Sequence, residues 1–243
     1  MKNFTDSRLT RRQALLRGSA LAAGAVLAPW AARVGAQEMP AEAGPTKMTA
    51  ADSLRLLMQG NERWASGSPA HPNQSVERRA EVAAGQAPFA IVFSCVDSRV
   101  PPEVVFDAGL GDLLVIRTAG QVIDNAALGS IEFGVEELHI PLVMVLGHQR
   151  CGAVAATVDA VAAGATAHGQ IKAIVEGIRP AVEATSSTPG DAVDNAVRAN
   201  VLSGAVRLKG TGPILDHSVA GGNLAIVGAY YDLGTGRVEV LSF

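Results

Sequence analysis

Cys95, Asp97 and Arg99 stand two residues apart at the end of an apolar run, Phe89-Ala-Ile-Val-Phe-Ser-Cys-Val-Asp-Ser-Arg-Val100. A thiolate can ligate a borderline-soft metal, and a carboxylate beside a guanidinium is held ionised and oriented. A second set, His148 and Cys151 at His-x-x-Cys spacing, follows another apolar run, Pro141-Leu-Val-Met-Val-Leu146. Two thiolates and a neutral imidazole around one ion form a catalytic zinc set when the fourth position stays open to water. Zn²⁺ so held is formally neutral and brings the pKa of its water toward neutrality, giving hydroxide without a strong base. Asp97, held by Arg99, could accept that proton. Two other readings use the same residues: a disulfide between the only two cysteines, and a closed zinc with Asp97 as fourth ligand. His139 reads as a helix-end cap, and His71, His168 and His217 as solvated side chains.

Both motifs need strand ends to hold them. The run from Phe89, bounded by Pro88 and by Pro101-Pro102, reads as a fully buried parallel strand, and ligands in open parallel sheets sit beyond the carboxyl ends of strands. Alternation along an extended tip would put Cys95, Asp97 and Arg99 on one side. Leu113 to Arg117, Pro141 to Leu146 and Asn223 to Tyr231 supply three more strands, and Arg237 to Leu241 pairs back across a tight turn as an antiparallel edge. Thr118 to Gln121 is a loop at the same sheet edge as the motifs. Helical periodicity covers Asp52 to Trp64, capped at Asp52 or Ser53; a short exposed helix follows from Glu77 to Gly85, and one helical turn from Glu103 to Phe106. Asn125 to Leu138, Ala153 to Ala163, Gln170 to Glu183 and Asp191 to Lys209 complete the helices. The alternation predicts an α/β fold: a mostly parallel sheet of about four strands plus an antiparallel edge strand, flanked by helices.

The 243 residues suit one such domain, expected over 51–243. Residues 1–36 read as an export signal: basic residues up to Arg17, an apolar stretch from about Gly18 to Ala32, and small residues Val34-Gly35-Ala36 at a cleavage site. That stretch is short of the roughly 20 apolar residues of a spanning helix, so no stable membrane anchor is expected after removal. Arg11-Arg12 after Thr10, with Leu15-Leu16 behind, resembles a twin-arginine signal, which implies a periplasmic destination. Residues 37–50, with Pro40, Gly44 and Pro45, form a flexible lead-in. Without the first 36 residues the chain holds 14 Lys+Arg against 22 Asp+Glu, a formal charge of −8, which argues against nucleic acid or an anionic membrane as partner.

Cys95-Val-Asp-Ser-Arg99 followed by His148-Gln-Arg-Cys151 resembles the signature of the β-class carbonic anhydrases. The likeness runs from about residue 50 to 241 and includes Gly60-Asn61, Arg63-Trp64, Asp107-Ala-Gly-Leu-Gly-Asp-Leu113 and Val227-Gly-Ala-Tyr-Tyr-Asp-Leu233. The resemblance implies one Zn²⁺ on Cys95, His148 and Cys151, Asp97 and Arg99 as catalytic dyad, and reversible hydration of carbon dioxide to bicarbonate by a zinc-bound hydroxide. It places Gln86 on a substrate-donating glutamine and Leu114 and Phe133 on the pocket's aromatic positions, while amides near Gly152 would receive the bicarbonate oxygen. Val92 stands where members with a second bicarbonate site carry tryptophan, although Arg117 and Tyr231 match that site's other positions. A homodimer or homotetramer is implied, with the Asp52–Trp64 helix lying across its partner. Related members hydrolyse carbonyl sulfide or carbon disulfide, and a non-catalytic zinc- or bicarbonate-binding protein is the reading from another class.

Overall fold

The computed structural model describes residues 48–242. The export signal over 1–36 and almost all of the lead-in lie outside the described residues. The first helix, α1 (Ala50–Ala65), starts earlier than its apolar periodicity suggests. Thr49 is the cap: its hydroxyl accepts from the Asp52 N–H, and the Asp52 carboxylate accepts from the Thr49 N–H, a reciprocal capping box. Asp52, expected as a cap, is therefore the box's third helical residue. The face carrying Leu54, Leu57, Gly60 and Asn61 is buried. Asn61 donates to Val105 O and Gly236 O and accepts from Val238 N, so a buried amide with both donors and its oxygen engaged fixes α1 to two distant segments.

The short helix α2 (Val76–Val82) buries nothing, as its charge pattern predicts. It leads to β1 (Ala90–Cys95), buried along its whole length. Then come α3 (Pro102–Val105), β2 (Leu113–Thr118), a 3-10 turn at Ala119–Gln121, α4 (Asn125–Glu136) and β3 (Leu142–His148). Three helices follow, α5 (Gly152–Ala162), α6 (Ile171–Ala184) and α7 (Ala192–Lys209), and then α8 (Ile214–Ala220), β4 (Ala225–Tyr231) and β5 (Val238–Ser242). The helix α8 has no counterpart in the sequence reading: seven residues between Pro213 and Gly221 are too few for periodicity to register, and burial of Leu215 anchors them.

The five strands lie in the order β2-β1-β3-β4-β5, parallel except for the antiparallel β4–β5 pair. Ile91, Phe93, Val143 and Val145 face one side with Ile131 and Val135 of α4 and Val201 and Leu208 of α7. Ala90, Val92, Met144 and Leu146 face the other with Leu54 and Leu57 of α1. A sheet apolar on both faces explains why β1 and β3 read as unbroken apolar runs. Its order puts β1 beside β3, so the carboxyl ends of the two motif-bearing strands meet at one edge. Among the described residues no helix is long and apolar enough to cross a membrane.

Candidate metal centre and active site

Cys95 is the last residue of β1, His148 the last of β3, and Cys151 the cap residue that opens α5. All three are buried, and their ligand atoms lie within 4.8 Å of one another. Both cysteines are free, with Sγ atoms 3.9 Å apart. His148 Nδ1 lies 2.9 Å from Gln149 O, so Nδ1 carries the proton and Nε2 presents its lone pair. That Nε2 is buried and has no hydrogen-bond partner. An orphaned imidazole nitrogen facing two thiols is the donor set that a tetrahedral zinc satisfies, so these residues fit the ion.

The two thiols are electrostatically unequal. Cys95 is held well below the usual thiol range, first by the Cys151 S–H and then, against the cost of burial, by His148 and the N–H groups of Gly120 and Asp97. Cys151 is pushed up, by its contact with the Cys95 thiolate first and by burial second. The N–H groups of Val154 and Ala153 at the start of α5 do favour its anion, as a helix N-terminus should, but the neighbouring thiolate outweighs them. Gly120 N reaches Cys95 Sγ at 3.3 Å. Its φ of 61° and the 2.5 Å that a Cβ would leave to Ile178 Cδ1 make this a position for glycine. The signal in the sequence was the glycine in the loop after β2, legible only once β2 was known to neighbour β1.

Asp97 and Arg99 form their pair by a turn. The chain leaves β1 after Cys95, Val100 N donates back to Asp97 O, and Arg99 N donates to Asp97 Oδ1 at 2.9 Å. Arg99 Nε and Nη2 then donate to Oδ1 and Oδ2 at 2.9 and 2.8 Å, a bidentate pair. The expected alternation of an extended tip does not produce this arrangement, because the backbone folds back over these residues. Arg99's hydrogen bonds, outweighing partial burial, hold the Asp97 carboxyl well below its usual range. Asp97 Oδ2 also lies 3.9 Å from His148 Nε2, beside the metal-facing nitrogen.

Of the expected substrate residues, Gly152 is at the site, first in α5 and with open space beside its Cα. Gln86 is exposed and precedes the amino end of β1, so the strand's six residues, roughly 20 Å at 3.3 Å each, separate it from Cys95 of its own chain. Leu114 pairs with Ile91, four residues short of the site edge, and Phe133 on α4 is 47% exposed. Val92 is fully buried in the core against α1. Arg117 and Tyr231 have internal partners: Arg117 donates to Cys95 O and Asp97 O, and the Tyr231 hydroxyl accepts from Trp64 Nε1. His139 stands exposed just past α4, and His71, His168 and His217 are exposed as well.

The family described as carbonic anhydrase matches residues 90–238. Carbonic anhydrase 2 of Mycobacterium tuberculosis is 45% identical over 183 residues, covering 75% of this chain and 88% of that protein. The solved β-carbonic anhydrase CafA of Aspergillus fumigatus superposes with a TM-score of 0.60 at 28% identity, over 78% of this chain and 91% of its own. A tetrameric β-carbonic anhydrase from Sordaria macrospora shares the fold at a TM-score of 0.62 and 21% identity, over 78% and 97% of the two chains. Matched from the first residue of β1 to the first residue of β5, and by relatives over three quarters of its length, this chain belongs to the carbonic anhydrase family, in its β class.

Proposed function

We propose that the protein catalyses the zinc-dependent, reversible hydration of carbon dioxide to bicarbonate and a proton. The observation that carries this reading is the buried convergence of Cys95, His148 and Cys151 beside a carboxylate pinned by a guanidinium. Cys95, His148 and Cys151 would hold the zinc, which when bound supplies Lewis-acid activation of water at neutral pH. The chain's own groups do the rest. The Nδ1–H of His148 is held by Gln149 O, which leaves Nε2 facing the metal position, and Asp97, ionised, accepts a proton at Oδ2. Arg99 fixes that carboxylate against rotation, so its lone pair keeps one direction through the cycle. The first amides of α5, beginning at Gly152, present N–H dipoles where negative charge develops on the product.

The functional form is a homo-oligomer in which a second copy supplies the outer pocket. Supporting this, Gln86 is exposed and separated from the site of its own chain by the length of β1, Phe133 is exposed, and the Sordaria relative is described as tetrameric. Export through a twin-arginine route, motivated by Arg11-Arg12, would deliver the folded, metallated chain to the periplasm, with Cys95 and Cys151 already protected by the ion. Moving residues 37–243 behind a signal for unfolded export should then give metal-free, disulfide-bonded protein. Equal zinc content from both routes would rule out this purpose for the signal.

Stopped-flow hydration on zinc-loaded protein tests the activity, with Cys151→Ser alongside. The wild type should turn over carbon dioxide at least a hundredfold faster; equal rates would sink the reading. Carbonyl sulfide and carbon disulfide on the same preparation should be poorer substrates, and either one being faster would reassign the enzyme. A non-catalytic zinc protein has no use for the bidentate Asp97–Arg99 pair.

A further inference from the structure

Arg117, the fifth residue of β2, lies next to the metal motif by virtue of the sheet order and pairs in register with Ser94 of β1. Its guanidinium donates from Nε to Cys95 O at 2.9 Å and from Nη2 to Asp97 O at 2.6 Å. These two carbonyls flank Val96, so one rigid fork fixes the peptide planes on both sides of the step from ligand to carboxylate. Beyond Cys95 the β1 ladder is running out: Val96 N still reaches Thr118 O, but β2 ends there. Asp97 O also accepts from Val100 N, so the fork and the turn share an acceptor.

The Asp97 carboxylate has two destinations within a few ångströms. Arg99 lies on one side at 2.8 Å, and His148 Nε2, the nitrogen facing the metal position, on the other at 3.9 Å. Arg99 is half exposed and hangs on the turn itself, with one long contact of 3.4 Å to Arg150 O, so it cannot by itself dictate where the turn sits. We propose that Arg117 is a positioning residue that holds the Cys95–Asp97 backbone so that Asp97 pairs with Arg99 and leaves the fourth metal position free. With the fork removed, the turn rotates and the carboxylate competes for the ion. The inference rests on the metal assignment above, since a second destination exists only if the ion is there.

The test uses the cobalt-substituted full-length protein and azide, an anion that enters an open fourth position and changes the visible spectrum. Arg117→Met should still bind cobalt but respond to azide about tenfold more weakly or not at all, the mark of a population moved to the closed state. Adding Asp97→Ala to Arg117→Met should restore the response, because no carboxylate remains to occupy the position. Arg117→Lys, which reaches one carbonyl and not both, should fall between; it carries the test if Arg117→Met does not fold. A wild-type azide response in the Arg117 variants overturns the inference, as does a lost response that Asp97→Ala fails to restore, which marks a merely structural role. If the wild type itself takes up no cobalt, the metal assignment fails instead, so the two failures are distinguishable.

Discussion

Asp97→Asn keeps the shape of the side chain and removes its charge. In the structure Oδ1 accepts from Arg99 N and Nε, and Oδ2 accepts from Arg99 Nη2. Asparagine can keep the Oδ1 bonds, but its amide would turn a donor toward the Arg99 Nη2 donor, so the bidentate pair becomes single. More consequentially, an amide cannot take a proton. A positioned general base contributes about 10²- to 10⁴-fold, roughly 3 to 5 kcal/mol of transition-state stabilisation, and that whole factor should be lost from kcat. Zinc content should not change, since the ion is held by Cys95, His148 and Cys151. The assay is stopped-flow hydration of carbon dioxide together with metal analysis on the same sample. Activity within threefold of wild type would refute the base role. Loss of zinc in parallel with activity would show that Asp97 is itself a ligand, closing the site.

Other consequences follow from the same geometry. Asp107, buried in the turn after α3, accepts from Arg63 Nε and from the N–H groups of Ala70 and His71. Burial pushes its carboxyl up, but these bonds outweigh it and leave the pKa below the usual 3.8. Its stabilisation is therefore complete above that value and is lost as pH falls below it through the folded-state pKa. Asp107→Asn should cost about 2 kcal/mol near neutrality and flatten the loss of stability in acid, read by urea unfolding at several pH values. An unchanged acid limb would refute the assignment. In the metal-free, reduced protein the contact between the two thiols predicts that the pair loses one proton at mildly acidic pH and the second only above the ordinary thiol range, visible by ultraviolet absorbance, the early step being absent from Cys95→Ser and from Cys151→Ser alike. Two thiolates titrating together in the ordinary thiol range would contradict it.

The chemistry of the site was legible because it sits in short, contiguous motifs at strand ends. Cys95 and His148 each follow an apolar run, and burial on both sheet faces is what makes such runs continuous. The strand order was not legible, and several findings depend on it. That Arg117 reaches the carbonyls of Cys95 and Asp97, and that Gly120 donates to Cys95, follow from β2 lying beside β1. Local bonds also overrode periodicity: a turn, not strand alternation, brings Arg99 onto Asp97, and Thr49, outside the apolar pattern, caps α1 because its hydroxyl can reach the Asp52 N–H. Gln86 shows the limit of motif reasoning within one chain. The resemblance placed it at the substrate, whereas in its own chain a full strand separates it from Cys95, so only a second copy could bring it to a site.

The central claim is that Cys95, His148 and Cys151 together hold one zinc. X-ray absorption at the zinc edge of the purified protein reads this directly. The account predicts two sulfur neighbours at about 2.3 Å, one imidazole nitrogen at about 2.0 Å and one further oxygen at similar range. A spectrum without sulfur, or one with four protein sulfur and nitrogen ligands closing the shell, would contradict it.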